Sequence, residues 1–286
     1  MQPLFDDIGF SIVMTGVLAA GSTALLGSFL VVRGQALLTD AISHGIVLGI
    51  AVTFLLTGLT TGPLQLLGAG AAGVATVLIT EALSASGRVR RDAATGLVFP
   101  AMFALGVLLL SLFARDVHVD PHTVLLGEIG YVWLDRVAVL GLEVPRSLLV
   151  LGAMFVVNLL FVSAFYERLA VAAFDPEQAG IRGMRPRAVT IALLALTSMT
   201  AVAALDAVGV VLFVTFAIVP AVTGLLVAKR LSGVVLVAIG TASFAALSGY
   251  WLAVVLDLSI GGCMAAMTSI PLLLALTPVK RAWQMS

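Results

Sequence analysis

"LLTDAISHGIVLGIAVTFLL" occupies residues 37–56, and its only ionisable side chains are Asp40 and His44. As a helix rising about 1.5 Å per residue, such a run is long enough to cross the roughly 30 Å hydrocarbon layer of a bilayer. Comparable apolar runs recur along the whole chain. Of 286 residues, 61% are hydrophobic and 10% charged, against about half and a quarter in an ordinary soluble domain. Backbone groups in lipid must be satisfied within the segment, which favours helices. The alternating ten-residue strands of a membrane barrel are absent. The sequence therefore predicts an all-α polytopic membrane protein.

Nine hydrophobic segments are expected: Gly9–Val32, Ala36–Leu56, Pro63–Leu83, Ala93–Phe113, Ser147–Phe165, Ala188–Leu205, Ala207–Ala228, Val234–Val255 and Ser259–Leu276. The run 188–228 contains only Asp206 as a polar break, and the split is placed there. Eight spans result if the last pair does not fully cross. If the Arg33 turn is cytoplasmic, twelve of the fifteen Lys and Arg residues fall on that side, leaving Arg115, Arg136 and Arg146 opposite. The positive-inside rule then puts the N-terminus outside and the C-terminus in the cytoplasm. The start, "MQPLFDDIGF", is acidic and lacks the basic n-region of a signal peptide, so the first span is expected to be retained. No internal repeat or low-complexity linker is evident, and residues 1–286 read as one membrane domain.

Two connections are long. The outer one, 114–146, is apolar in its middle but interrupted by Glu128, Asp135 and Arg136, and reads as an interfacial or re-entrant segment. The inner one, 167–187, contains "FDPEQAG". There Asp175 suits an N-cap, Pro176 the first helical position and Glu177 the first turn. Gly180 and Gly183 are expected to end a short helix suited to docking a partner. Pro100, Pro220 and Pro271 fall within apolar runs and are expected to kink or interrupt them.

Asp40 and His44 stand four apart and share one helix face. His44 lies roughly 16 Å above Arg33, near the bilayer midplane. Ionisable groups at that depth are costly and face a bundle interior or a watery cavity. A carboxylate with a neutral imidazole suits Mn²⁺, Fe²⁺ or Zn²⁺ better than Ca²⁺ or Mg²⁺. Spacing alone equally allows Asp40 to orient His44 in a proton relay or a structural hydrogen bond. Ser43 is expected to bond back into its own helix, and Gly45 with Gly49 to form a small-residue packing face. His118, Asp120, His122 and Glu128 could collect a divalent cation at the outer mouth, although a solvated polar loop explains them as well. Glu81, beside the basic "RVRR" run, reads as a solvated or paired helix-end residue.

Other chemistries lack their motifs. No G-x-x-x-x-G-K-[ST] or H-E-x-x-H occurs, which speaks against a P-loop ATPase or a zincin protease. Formal net charge is zero and the single cysteine is Cys263, so neither a nucleic-acid partner nor an internal disulfide is expected.

Five stretches carry a resemblance. "VVRGQALLTDAISHGIVLGIAVTFLL" (31–56) resembles the signature of the membrane subunits of the ABC-3 class of bacterial metal-ion ABC importers. "ATGLVFPAMFALGVLLLS" (94–111), "VDPHTVLLGEIGYV" (119–132), "FDPEQAGIRGM" (174–184) and "AVGVVLFVTFAIVPAVTGLLVAKRL" (207–231) are similar to its fourth span, outer segment, coupling segment and a later conserved span. Gly224 replaces a small Ala of that pattern, and Arg33–Gly34 replaces a double Arg.

The resemblance implies a multi-pass subunit of the bacterial plasma membrane. It would form a pore with a second permease subunit, either an identical copy or a paralogue. Separate cytoplasmic ATPase subunits would bind ATP and dock on the coupling segment through Asp175, Pro176, Glu177, Gly180 and Gly183. An extracellular or periplasmic binding protein would deliver the ion. The cargo implied is manganese first, with zinc or iron as alternatives, and no permanently bound cofactor. Asp40 and His44 would line the path and touch the metal. Because His44 must be neutral to coordinate, such a site weakens as pH falls. The rival reading is a proton-coupled secondary metal transporter using Asp40–His44 as relay.

Overall fold

The computed structural model describes residues 7–59, 63–113, 128–139 and 141–277. Nine helices are found among them: α1 (Asp7–Val32), α2 (Leu37–Thr57), α3 (Pro63–Ala85), α4 (Arg91–Phe113), α5 (Arg146–Phe174), α6 (Pro176–Ile181), α7 (Pro186–Val227), α8 (Leu231–Leu256) and α9 (Ile260–Leu276). Seven of these are long and apolar enough to cross a membrane. The chain forms two compact units. One holds 1–32, 128–164 and 211–286, the other 33–127 and 165–210.

The helix α7 sharpens the span question. Its 42 residues would measure about 63 Å, twice the hydrocarbon thickness. Gly209 breaks it, with φ 78° and ψ 169°, a conformation open essentially to glycine alone. The two pieces, 186–208 and 210–227, are each of span length. Sequence reading divides the run three residues earlier, at Asp206, because hydropathy marks the polar residue and not the backbone break. The three prolines do not interrupt the helices that hold them. Pro100, Pro220 and Pro271 lie inside α4, the 210–227 piece of α7 and α9, with helix on both sides of each. A proline removes one helical hydrogen bond, and a membrane helix tolerates that loss.

The described residues before α5 depart from a purely helical picture. Residues Ile129–Tyr131 make a 3₁₀ turn, followed by an antiparallel hairpin of β1 (Arg136–Val139) and β2 (Leu142–Pro145). Arg146 closes its base: its N–H donates to the Asp135 carbonyl at 2.9 Å, and its guanidinium meets the Asp135 carboxylate at 3.6 Å. The strands hold only four residues each, too short for their alternation to register beside longer helical patterns. α5 runs to Phe174, nine residues past the expected end. Tyr166, Glu167 and Arg168 end the hydropathic run but not the helix.

In the first unit, α1 packs along α8 and α8 along α9. The buried Asn158 amide donates to Ser22 Oγ at 2.8 Å, tying α5 to α1. In the second unit, α2 packs against α3 and α4. Lipid tails are as apolar as leucine, so these helices associate through close van der Waals fit. The small-residue face of α2 supplies it. A Cβ on Gly45 would collide with Thr76, and one on Gly49 with the backbone of Gly68 and Ala69. Ser198 Oγ donates to the Gly70 carbonyl at 3.0 Å, joining α7 to α3.

Gly49→Ala is expected to cost about 1–3 kcal/mol, because the added methyl meets backbone that cannot yield. Gly96→Ala, where nothing lies within 4 Å, is expected to be neutral or favourable by up to about 1 kcal/mol. Thermal unfolding in detergent of the two variants would rank them, and equal stability would refute this account of the contact.

Candidate functional site

The start of α2 brings the ionisable pair together. The turn before it uses Gly34 at φ +68°, and Leu38 N–H donates to the Gln35 carbonyl at 3.0 Å. One turn into α2, Asp40 Oδ1 lies 3.5 Å from His44 Nε2. That distance is too long for a firm hydrogen bond, so the two groups face each other without being locked. The side chains are 29% exposed at His44 and 39% at Asp40, so both are partly accessible. Between them in sequence, Ser43 is fully buried and its hydroxyl donates to the Asp40 carbonyl at 2.7 Å. It is spent on its own helix, as the sequence reading expects.

Helix α4 walls the imidazole. Phe99 stacks on it with centroids 5.6 Å apart, and Phe103 meets it edge-on at 5.4 Å. Residue composition gives no hint of these two partners. Only the side-by-side course of α2 and α4 reveals them.

Below the pair, Arg33 Nε donates to Gln35 Oε1 and the Gln35 amide donates to Glu81 Oε1, each at 3.1 Å. Glu81 is thus a paired helix-end residue. A small cleft there is lined by Gln35, Leu38, Thr80, Glu81, Asp92 and Thr95. Gln35 is 4% exposed, which makes this polar chain a buried tie between the α1–α2 turn and the end of α3. The sequence singled out Glu81 but not Gln35, whose role needs the fold.

The other expected sites fare unequally. His118, Asp120 and His122 lie outside the described residues. Glu128 is exposed, and its carbonyl accepts from Tyr131 N–H at 3.0 Å to start the 3₁₀ turn. Among the described residues no group of three or more His, Cys, Asp or Glu side chains could hold a metal ion. Asp40 and His44 therefore stand as a pair of donors among the described residues.

The segment 167–187 contains the short helix α6 with its expected start. Asp175 Oδ1 accepts from Gln178 N–H at 2.8 Å, Pro176 opens the helix and Glu177 sits in its first turn. Its end differs from the reading. Gly180 lies inside α6, and Gly183 alone makes the stop at φ +70°. Gly183 N–H donates to the Gly180 carbonyl and Met184 N–H to the Ala179 carbonyl, both at 3.0 Å, the paired bonds of a Schellman cap. Phe174 and Ile181 flank the helix with 70% and 87% exposure. Capped at both ends and carrying apolar side chains outward, α6 is a rigid knob.

Helices of span length, one carrying a carboxylate–imidazole pair, with a short capped helix between two others, define a polytopic membrane protein. Residues 6–278 match the ABC 3 transport family, and the chain belongs to it. It is the membrane-spanning permease of an ABC transporter of bacterial membranes and not the ATPase itself. Among its relatives is the zinc transport system membrane protein TroD of Treponema pallidum, 41% identical over 91% of this chain and 71% of that protein. The manganese transport system membrane protein MntD of Bacillus subtilis is 38% identical over 91% of this chain and 88% of that protein. A solved structure titled PsaBC from Streptococcus pneumoniae in complex with Fab shares the fold. Its TM-score is 0.78 at 23% identity, covering 98% of this chain and 95% of that one.

Asp175→Ala is expected to remove the cap of α6 at a cost of about 1 kcal/mol. Amide exchange at Gln178 should then quicken by about fivefold, with Asp175→Ser restoring most of the protection. Unchanged exchange would show that the cap does not hold the helix.

Proposed function

We propose that this chain carries a divalent first-row transition metal into the cytoplasm through a path that passes Asp40 and His44. The observation that carries the reading is the pair itself: one oxygen and one nitrogen donor, 3.5 Å apart and partly accessible, on a span-length helix of a family whose named relatives handle zinc and manganese. Manganese heads the list because the pair offers oxygen as readily as nitrogen and no thiolate; zinc and iron suit the same donors. Two protein ligands strip part of an ion's water shell yet let it leave, which conduction requires. The donors missing from a full coordination sphere would come from water, from backbone carbonyls or from a second permease subunit.

The partners follow from the class. ATPase subunits and a metal-delivering binding protein complete an ABC importer. We place the ATPase contact at α6, where the exposed Ile181 and Phe174 offer apolar anchors and Asp175, Pro176, Glu177, Gly180 and Gly183 set the helix. A pore of two identical copies is the simplest assembly, with both compact units belonging to one permease domain. The N-terminus lies outside and the C-terminus inside, because twelve of the fifteen basic residues then face the cytoplasm. With α7 crossing twice and α9 crossing once, nine spans satisfy this orientation. The secondary-transporter alternative gives way to family membership, because a relay pair would not need separate ATPase subunits.

Two measurements test the proposal. Asp40→Ala and His44→Ala, each assembled with its ATPase partner, are expected to lower cellular manganese uptake at least about tenfold, as loss of a metal contact does. Uptake at the parental rate would return the pair to a structural role. Ile181→Asp is expected to weaken copurification of the ATPase subunit while leaving the permease folded. Undiminished copurification would move the coupling surface elsewhere.

A further inference from the structure

We propose that Phe99 and Phe103 are positioning residues for the ion path: they hold the His44 ring in the one orientation that presents it beside Asp40. The inference rests on Asp40 and His44 being metal ligands. An imidazole has a broad, roughly two-fold preference about its outer torsion. On an open helix face it samples several ring orientations, and few of them bring a nitrogen to Asp40. Here the ring is walled on two sides. Phe99 lies nearly parallel to it, at an interplanar angle of 29°, and Phe103 stands across it at 81°. These are the two favoured aromatic geometries, offset-stacked and edge-to-face. Turning the imidazole would forfeit the stack on Phe99 and collide with the edge contact to Phe103.

The arrangement comes from matched spacing on two neighbouring helices. Asp40 and His44 are one turn apart on α2, and Phe99 and Phe103 are one turn apart on α4. The pairs stay in register because α4 presses against α2 higher up. A Cβ on Gly106 would stand 2.8 Å from the Leu48 nitrogen, and Val47, Ala51 and Leu110 form a buried cluster. Phe103 also packs against that cluster, so it links the packed contact to the imidazole. Phe99 and Phe103 are themselves only half-buried, which is not how rings filling a core are placed. Pro100 sits between them, where its missing N–H leaves α4 one bond short.

A ligand fixed before the ion arrives avoids the ordering cost at the moment of binding. Removing one ring is expected to weaken binding about two- to tenfold, the range that one aromatic contact supplies.

The test uses the full permease–ATPase complex, purified and loaded with Mn²⁺ alone. Spin-echo modulation of the Mn²⁺ signal reports a directly bound imidazole nitrogen. The parental complex is expected to show it, and Asp40→Ala/His44→Ala to lose it. Phe99→Leu and Phe99→Leu/Phe103→Leu are expected to bind Mn²⁺ progressively less tightly, with shallower nitrogen modulation. Phe99→Tyr, which keeps the stack, should remain close to parental. Leu105→Ala, on an exposed position of α4, should leave affinity and modulation unchanged. Phe99→Leu keeps the clustered packing intact and so remains informative even if the double variant unfolds. Parental affinity and modulation depth in Phe99→Leu would overturn the proposal. Absence of nitrogen modulation in the parental complex would instead overturn the ligand reading on which it rests.

Discussion

The contact between α2 and its neighbours α3 and α4 is what the rest of the site depends on. In water, apolar helix faces are driven together by leaving solvent. In hydrocarbon that drive is gone, and helices hold by how closely their surfaces fit. Gly45 and Gly49 let α3 approach α2, and Gly106 lets α4 approach it as well. The closeness has a chemical result. It carries α4 near enough for Phe99 and Phe103 to reach His44, and the end of α3 near enough for Glu81 to receive the Gln35 amide.

The same scarcity of water explains how the chain treats its hydroxyls. Thr23, Ser28, Ser43, Thr80, Thr197 and Thr223 all donate back to carbonyls three or four residues earlier. Each is satisfied locally and leaves the helix surface effectively apolar. Two other hydroxyls mark joints. Ser198 reaches α3, and Ser22 receives Asn158 from α5. Asp40 and His44 are a third kind, with polar ends turned toward each other and toward open space. A carboxylate and an imidazole left partly exposed on a span-length helix are costly.

The segments outside the spans are built on other rules. α6 is too short to persist by propensity and is held by its caps at Asp175 and Gly183. The β1–β2 hairpin is fixed at its base by Asp135 and Arg146. Both are small features set at a helix end by local hydrogen bonds and an ion pair.

The sequence by itself determined the helical membrane class, most span boundaries, the Asp40–His44 pair, the start of α6 and the family, because each is written in local composition, periodicity or short motifs. It misplaced the break in α7 by three residues, since a backbone conformation available to glycine leaves no hydropathic trace. It ended α5 early, since charged residues at a membrane surface do not stop a helix. It did not show the hairpin, Gln35 as the tie to Glu81, or the aromatic walls around His44. Those features join residues from 46 to 59 positions apart, or rest on strands too short to declare themselves. Such pairings exist only once α2, α3 and α4 have packed, because which side chains meet across helices is decided by how closely the backbones approach.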